Sequence, residues 1–195
     1  VGKHLADLGF RQSRFDVAIK TDFAGVEVTS RKSNGSQTLL PTAPAIKQTG
    51  LDEIDFQFAP NPGEPARPLR AIASSGEMAR VMLALKTVLA AEDEVPVLIF
   101  DEVDANVGGE TANAVGEKMR QVAVQRQVLC ITHLPQVAAP ADAHYVVTKQ
   151  VKNGRTISGI ALLDPKERVA ELTRMLGGQG EAARKHAEAL LKYPD

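Results

Sequence analysis

The sequence predicts an α/β protein with a mostly parallel sheet, flanking helices and additional antiparallel strands. Within residues 96–132, an apolar segment is followed by apolar residues at helical spacing and then by a second apolar segment. A strand, a helix and a second strand in succession form a βαβ unit, whose two strands run parallel. Two further segments joined at Asn153-Gly154, a strong hairpin turn, predict the antiparallel part.

Residues 1–70 are predicted to form mostly strands and loops. Leu5 and Leu8, followed by Gly9 as a stop, indicate the end of a helix over 1–9. Alternation of apolar and polar residues and the positions of turn formers predict the rest of this region. It comprises strands at 15–19 and 54–58, a short strand at 26–28, a turn at 33–36, and a loop enforced by Pro60, Pro62, Pro65 and Pro68.

From residue 74 onward, helices alternate with apolar strands. Because the segment 96–100 is apolar throughout, its strand is expected to be covered on both faces of a parallel sheet. A helix is predicted to begin at Asp164-Pro165-Lys166-Glu167, which combines a cap, a first-turn proline and a returning glutamate. The full set is helices at 74–91, 112–123, 134–141, 165–176 and 181–192, strands at 96–100 and 127–132, and a hairpin of 145–151 and 156–163. The helix that begins at 165 is expected to have an inner face and a glycine stop, formed by Val169, Leu172, Leu176 and Gly177-Gly178.

Composition and charge are those of an ordinary globular protein. The 195 residues are 44% hydrophobic and 24% charged, with a formal net charge of −1, so no strong basic field indicates nucleic acid or an acidic membrane. The longest apolar run is far shorter than the roughly 20 residues of a membrane span. The single cysteine, Cys130, excludes an intrachain disulfide and fits a reducing compartment; we interpret it as a buried small hydrophobe rather than a reactive thiol. No charged-then-apolar secretory leader opens the sequence. The sequence starts at Val1 rather than Met, which we interpret as a hint of a fragment.

Two acids follow the strand at 96–100, and a histidine follows the strand at 127–132. Because ligands bind at the carboxyl ends of parallel strands, Asp101, Glu102 and His133 are expected at one edge of the sheet. One acid can hold Mg²⁺ through its waters, the other can orient or deprotonate a water, and the histidine can contact a transferring phosphate. The alternative is that the acids only cap the next helix, whose N-terminus favours negative charge.

The sequence Ser74-Ser75-Gly76-Glu77, preceded by Ala73, stands at a helix start and supports two compatible interpretations. Free backbone N–H groups and the helix dipole make such a start an anion site, which a glycine lets phosphate approach closely. The same residues also fit a capping box, with serine reaching forward and glutamate reaching back. A cap would fix the helix start that binds the anion.

A phosphate-binding loop is missing from the chain. No segment matches G-x-x-x-x-G-K-S/T, and the glycine-rich stretches at 108–109 and 177–180 lack the lysine. We interpret these stretches as a turn and a helix stop. Acids, a histidine and a phosphate-binding helix start without the phosphate loop amount to half of a nucleotide site.

Three motifs in this order resemble those of ABC-type ATPases. Ser74-Ser75-Gly76-Glu77 resembles the signature motif, V-L-I-F-D-E at 97–102 resembles the Walker B strand with its catalytic glutamate, and Thr132-His133 resembles the switch histidine. The sequence resembles even more closely the RecN family of bacterial DNA-repair proteins, which are relatives of the SMC proteins. The stretches similar to that family are 61–65, 82–86, 101–104, 130–138 and 174–178.

The resemblance implies the C-terminal lobe of a P-loop NTPase head of the ABC/SMC type. Residues 1–10 would be the end of a coiled-coil helix, 11–70 a β-lobe, and 71–195 the core lobe. The implied partners are the N-terminal half of the same protein, which carries the phosphate loop, a second head in a homodimer, and DNA. The implied setting is the bacterial cytoplasm at the nucleoid, with no membrane partner.

The resemblance also implies roles for individual residues, with ATP and Mg²⁺ as cofactors. Asp101 would hold the Mg²⁺ shell, Glu102 would activate water, and His133 would contact the γ-phosphate. Ser74 and Gly76, within the nucleotide-binding signature 74–77, would bind the γ-phosphate of the opposite head. In two places the sequence departs from the usual ABC pattern: Ser75 stands where the signature usually has glycine, and Gly108 stands where many ABC proteins have an aspartate. Asp104 is assigned no role.

Two other classes of function remain open from the sequence. The fold could serve as a non-catalytic module for dimerisation or DNA binding, which salt-dependent DNA binding without nucleotide would favour. An independent metal-dependent phosphohydrolase would be active as this chain alone. The chain as part of a divided ATPase head is instead expected to be inactive alone, for lack of the phosphate loop.

Overall fold

The computed structural model describes residues 1–21, 25–26, 29–31, 37–39, 43–44, 50–72, 74–92, 94–152, 154–178 and 180–192, with only the backbone described between 25 and 44. The chain forms two compact units. The larger consists of Val1–Gln12 together with Ile72–Asp195, and the smaller is Ser13–Ala71. The larger unit contains all three motifs.

The smaller unit is built from short antiparallel pairings. Its main feature is the pairing of two eight-residue strands in register, from Arg14 opposite Ala59 to Thr21 opposite Asp52. The rings of Phe15 and Phe56 stack across this pair, with their centroids 5.7 Å apart. The strands are β1 (Arg14–Thr21), β2 (Gly25–Val26), β3 (Thr29–Arg31), β4 (Gln37–Leu39), β5 (Ala43–Pro44), β6 (Asp52–Ala59) and β7 (Arg67–Pro68), followed by a 3₁₀ turn at Leu69–Ala71.

The strands expected at 15–19 and 54–58 are confirmed as parts of β1 and β6. The expected proline loop is wrong at its end, because Pro68 lies in β7 opposite Gln57. A proline is tolerated there because β7 is at the edge of its sheet, where a missing N–H donor breaks no ladder. Of the short strand expected at 26–28, β2 contains Val26, while 27–28 and the turn at 33–36 lie outside the described residues.

The larger unit contains the predicted βαβ unit. Strands β8 (Val97–Phe100) and β9 (Gln127–Cys130) pair in parallel, with Val97 opposite Gln127 and Phe100 opposite Cys130. The N–H of Ile131 extends the ladder by donating to the Phe100 carbonyl at 2.9 Å. The helices of this unit are α1 (Gly2–Asp7), α2 (Ser75–Val88), α3 (Gly109–Ala123), α4 (Pro135–Ala138), α5 (Pro165–Met175) and α6 (Glu181–Leu191). Its hairpin pairs β10 (Tyr145–Lys152) with β11 (Arg155–Leu162).

The expectation that β8 is covered on both faces is wrong for the described part of the chain. Leu98 and Phe100 are buried, at 8% and 6% exposure, but the alternate residues face outward. Because paired residues of parallel strands point to the same side, these outward residues form one surface, which we call the open sheet face. It consists of Val97, Ile99, Leu129 and Ile131, which are 40–69% exposed.

The core lies on the other side of the β8–β9 sheet, under α2 and α3. Helix α3 can approach α4 closely because it carries Gly116, where a β-carbon would lie only 2.7 Å from the Gln136 carbonyl oxygen. Leu5 and Leu8, the predicted inner residues of α1, are fully buried. The other buried apolar residues of α2 and α3 are Val81, Leu83, Ala84, Leu85, Ala112, Val115, Met119 and Val122.

The C-terminal helices pack on α4 as a second cluster. Asp164 and Glu167 form the predicted capping box of α5. The helix ends before Gly177, and this glycine has a φ of 77°. The cluster contains the three expected inner residues of α5 together with others: Ala138, Ala139, Val169, Leu172, Met175, Leu176, Ala187, Leu190 and Leu191. In the hairpin turn, Gly154 has a φ of 73°, which glycine adopts without steric strain, while Asn153 lies outside the described residues.

Within the described ranges, no helix combines the length and apolarity that crossing a membrane requires.

Candidate active site

The predicted site residues of the two parallel strands lie at one edge of the sheet. Asp101 and Glu102 follow directly after β8, and His133 is the third residue after β9, which pairs with β8 in parallel. The acids are exposed, and the His133 side chain is 70% exposed. We call residues 101–107 the acidic loop and residues 132–134 the histidine loop.

The acidic loop turns sharply after the strand. Glu102 and Asn106 have φ values of 57° and 60°, in the left-handed region that residues other than glycine seldom adopt. Asparagine tolerates this region, but a glutamate in it stores strain on the order of 1 kcal/mol, a feature that clusters at functional sites. The turn is closed by the Ala105 N–H, which donates to the Glu102 carbonyl at 3.0 Å.

The expected signature residues stand at the start of α2. Ser74 is the N-cap, and its hydroxyl oxygen accepts the Glu77 N–H at 3.3 Å. The return bond from the Glu77 carboxylate to the Ser74 backbone is not formed among the described residues, so only half of the expected capping box is present. Ala73, the residue before this cap, lies outside the described part of the chain.

Helix α2 begins in direct contact with the acidic loop. The Ser75 hydroxyl donates a short hydrogen bond to the Glu102 carboxylate. A β-carbon at Gly76 would lie 2.9 Å from the Ala105 β-carbon and 3.0 Å from the Glu102 carbonyl oxygen. Gly76 therefore has a packing role within this chain, in addition to the phosphate contact expected from the sequence. The serine–glutamate bond was not anticipated from the sequence.

Arg80 stabilises the acidic loop through hydrogen bonds to its backbone. Its guanidinium group donates to the carbonyl oxygens of Ala105 at 3.0 Å and Val103 at 3.5 Å, and lies 5.1 Å from the centroid of the Phe10 ring. The residue is only 7% exposed. Burial lowers the pKa of Arg80, and the negative charge of Glu77 partly opposes this. A single charged residue on the apolar inner face of α2 is the signal that could have identified it from the sequence.

Asp104 joins the acidic loop to the histidine loop. Its side chain is 2% exposed, and one oxygen, Oδ2, accepts the Thr132 hydroxyl, the His133 N–H at 3.0 Å and the Leu134 N–H at 3.3 Å. The same oxygen lies 3.3 Å from the His133 imidazole Nδ1. The sequence interpretation gave this residue no role. An acid between the apolar Val103 and Ala105 was the available signal.

Cys130 is the last residue of β9 and precedes the histidine loop. It is half-buried rather than buried, which corrects the expectation from the sequence. Burial raises the pKa of its thiol to about 12, and the negative charges of Asp104 and Asp101 contribute to the rise. The thiol therefore stays protonated at neutral pH, which agrees with the interpretation that it is not a nucleophile.

The donor groups fit an open metal site rather than a closed one. Within the described residues, no group of three or more histidine, cysteine, aspartate or glutamate side chains is arranged to hold a metal. Magnesium usually keeps several waters and takes one or two carboxylates together with substrate phosphates. Asp101 has an exposed carboxylate, which is compatible with such a site.

Comparison with known proteins gives relatives along the whole chain, although no family model matches it. The DNA repair protein RecN of Bacillus subtilis is 39% identical over 197 residues, covering 100% of this chain and 33% of that protein. RecN of Streptomyces coelicolor is 44% identical over 196 residues, covering 98% and 32%. RecN of Deinococcus radiodurans is 51% identical over 143 residues, covering 73% and 25%. The chain thus spans about a third or less of the length of these relatives.

Solved structures show the fold. The SMC head domain with a coiled coil and joint from Pyrococcus yayanosii has a TM-score of 0.52 at 17% identity, covering 98% of this chain and 28% of that chain. The SMC head from Pyrococcus furiosus bound to the C-terminal domain of ScpA has a TM-score of 0.51 at 18% identity, covering 90% and 36%. The mixed α/β fold of an SMC ATPase head, expected from the sequence, is therefore confirmed.

The relatives and the fold agree on the identity of the chain. Two RecN proteins align with 100% and 98% of this chain, at 39% and 44% identity. With this similarity and the fold of an SMC head, the chain belongs to the RecN family of bacterial DNA repair proteins.

Proposed function

We propose that this chain is the C-terminal half of an SMC-like ATPase head. In the full-length protein it would bind and hydrolyse ATP between two heads, coupled to the repair of DNA double-strand breaks and to recombination. The observation that carries the proposal is the meeting of the acidic loop, the histidine loop and the start of α2 at one sheet edge. No phosphate loop occurs in the chain, so the N-terminal half of the same protein would supply it.

Each residue at the edge has a separate role in this proposal. Asp101 would hold the hydration shell of Mg²⁺, which neutralises phosphate charge when bound. Glu102 would orient and deprotonate the attacking water; its Oε2 accepts the Ser75 hydroxyl, which leaves Oε1 for the water. His133, with its exposed imidazole, would donate to the γ-phosphate as negative charge moves during transfer.

The start of α2 would bind nucleotide from the opposite head in a homodimer. Ser74, Ser75, Gly76 and Glu77 would present backbone N–H groups to the γ-phosphate, and the cap at Ser74 supports this by fixing the first turn. Because Ser75 also contacts Glu102, each composite site would be linked to the water-activating residue of the other.

The open sheet face supports the proposal of a partner half. Ile99 and Ile131 are 69% and 63% exposed on a parallel pair, and parallel sheets are normally covered on both faces. We propose that the N-terminal half of the head covers this face and brings the phosphate loop to the sheet edge. In the same arrangement α1 would be the end of the coiled coil, and the smaller unit a β-lobe. DNA would be a partner of the full-length protein in the cytoplasm, at the nucleoid.

The test is ATP hydrolysis by the full-length protein and its Glu102→Gln variant. We expect the variant to lose turnover and to retain ATP-dependent association of heads, because glutamine keeps the shape of the side chain but cannot take a proton. Turnover by the Glu102→Gln protein near the wild-type rate would contradict the assignment of Glu102. DNA binding that needs no nucleotide, together with an inactive wild-type protein, would favour the non-catalytic module instead.

A further inference from the structure

The histidine loop is held by a buried carboxylate that contributes no group to the exposed edge. Asp104 is 1% exposed, whereas the His133 side chain that it contacts is 70% exposed. The carboxylate therefore cannot reach a substrate at the edge, but it can determine where His133 lies. This inference rests on the proposed ATPase function and adds a residue to it.

Among the described residues, the hydrogen bonds to the carboxylate converge on one oxygen atom. Oδ2 accepts the N–H groups of His133 and Leu134 and the hydroxyl of Thr132. Hydrogen bonds to an ionised acceptor are about twice as strong as neutral ones, and a buried carboxylate is costly unless it is paired or hydrogen-bonded. The acidic and histidine loops thus stabilise each other, and either one moving alone would leave buried polar groups without partners.

Thr132 closes the arrangement. Its hydroxyl donates to Asp104, and its oxygen accepts the Leu134 N–H at 3.0 Å, so this N–H is shared between Thr132 and Asp104. Pro135 then starts α4 directly after the loop, and Gly116 allows α4 to lie against α3. The histidine loop is therefore held in two ways: by hydrogen bonds to Asp104, and by its connection to α4, which packs against α3.

We propose that Asp104 is a positioning residue that holds His133 at the γ-phosphate and couples its placement to the acidic loop that carries Glu102. The coupling is direct, because Asp104 is two residues after Glu102 and its carboxylate binds the histidine loop across the sheet edge. Loss of the Asp104 carboxylate would then displace His133 from the phosphate, whereas Glu102 stays restrained by its own hydrogen bond from Ser75. A displacement of about 1 Å at a reacting centre can lower a rate about 100-fold.

The experiment measures ATP turnover by the full-length protein with Asp104→Asn, His133→Ala and both changes together. Asp104→Asn should lower kcat roughly 10- to 100-fold with KM for ATP changed little. Because Asp104 acts through His133, the double variant should be no slower than His133→Ala alone. Losses that multiply in the double variant, or a wild-type rate for Asp104→Asn, would overturn the proposal.

A matched control separates positioning from stability. Asp164 also accepts two backbone N–H groups, from Lys166 and Glu167, but at the start of α5, away from the edge. Asp164→Asn should weaken the α5 cap and leave kcat at the wild-type value. Hydrogen exchange of the peptide that contains His133 and Leu134 should accelerate in Asp104→Asn and not in Asp164→Asn. Unchanged exchange in Asp104→Asn would overturn the proposal.

If Asp104→Asn does not fold, variants of Thr132 replace it. Thr132→Ser keeps the hydroxyl donor to Asp104, and Thr132→Val removes it while keeping the branched shape. The serine variant should retain most of the turnover and the valine variant should lose it, and equal activity of the two would contradict the proposal. Failure of the proposed ATPase function is recognised separately, as the absence of ATP turnover by the wild-type full-length protein. Wild-type turnover in both Glu102→Gln and His133→Ala would instead contradict the residue assignments.

Discussion

Ser75 donates its hydroxyl proton to the carboxylate of Glu102, so the first residue of α2 is bonded to the acid that follows β8. The two residues are 27 positions apart in the sequence. Ser75 stands where ABC signatures usually have glycine, which has no side chain to make this bond. In this chain, the departure from the pattern therefore adds a restraint on the proposed catalytic carboxylate.

We predict that Ser75→Ala in the full-length protein lowers kcat about 3- to 10-fold, since the lost bond to a charged group is worth about 1 kcal/mol at an exposed site. Ser75→Thr keeps the hydroxyl and is the matched control, which should stay near the wild-type kcat. Steady-state ATPase kinetics provide the measurement. A rise in KM for ATP at unchanged kcat would show instead that Ser75 serves only phosphate binding.

The close contact at Gly76 gives a stability prediction whose sign is opposite to helix propensity. Alanine normally stabilises a helix relative to glycine, but here its β-carbon would meet Ala105 at 2.9 Å and a backbone oxygen at 3.0 Å. Gly76→Ala should therefore destabilise the protein by about 1–3 kcal/mol. Gly2, in α1, has no atom within 4 Å of an added β-carbon, so Gly2→Ala is the control and should be neutral or slightly stabilising. Denaturant unfolding measures both, and equal effects of the two substitutions would contradict the packing role of Gly76.

The open sheet face gives a prediction about assembly. Ile99 and Leu98 are neighbours in β8, but Ile99 is 69% exposed and Leu98 is 8% exposed. Ile99→Thr should leave the folding of this chain nearly unchanged and weaken its association with the N-terminal half by about 1–3 kcal/mol, the value of burying one such side chain. Leu98→Thr, the control on the same strand, should unfold the chain.

Mixing the two separately produced halves and titrating one against the other measures this effect, with recovery of ATPase activity as the readout. The chain alone should hydrolyse ATP poorly or not at all, because the phosphate loop is missing. Activity of this chain without a partner would favour the independent phosphohydrolase. Association of the halves that is insensitive to Ile99→Thr would show that the N-terminal half does not cover the open sheet face.

The sequence predicted the elements of the larger unit well because their signals are local. Each of these signals depends on residues within a few positions of one another. They are the capping box at Asp164, the hairpin turn at Gly154 and the helical spacing in α2 and α3. The parallel register of β8 and β9 then brought Asp101 and His133 to one edge, as expected. What the sequence could not reveal were contacts between distant segments. Ser75 with Glu102 and Asp104 with Thr132 are pairings of side chains that no periodicity encodes.

What covers the second face of the sheet also could not be predicted from the sequence, for a different reason. An apolar strand indicates that both faces avoid water, but it does not say which polypeptide covers them. Val97 and Ile99 carry the pattern of a buried strand and are exposed among the described residues, which supports the proposal that the N-terminal half covers this face. The expectation was wrong for this chain and is physically informative for that reason.

His144 provides a prediction for the pH dependence of stability. Burial lowers its pKa, the positive charge of Arg168 lowers it further, and Glu171 partly opposes this. The folded pKa thus lies below the unfolded value of about 6.5, so between the two values the unfolded chain binds more protons than the folded one. Stability is therefore fully present above the unfolded pKa and falls as the pH decreases through the folded pKa.

A His144→Gln variant should flatten this fall, because glutamine has no proton to gain in that range. The free energy of unfolding of both proteins is measured in urea. At about pH 8, above the unfolded pKa, the difference between them reports packing alone. The change in that difference at about pH 5.5 gives the contribution of protonation. The hydrogen bond from Arg174 lowers the pKa of Glu171, so that carboxylate loses its contribution in a more acidic range, below the usual glutamate pKa, and does not obscure the result. Identical slopes of stability against pH in the two proteins would show that His144 does not stay neutral in the folded chain.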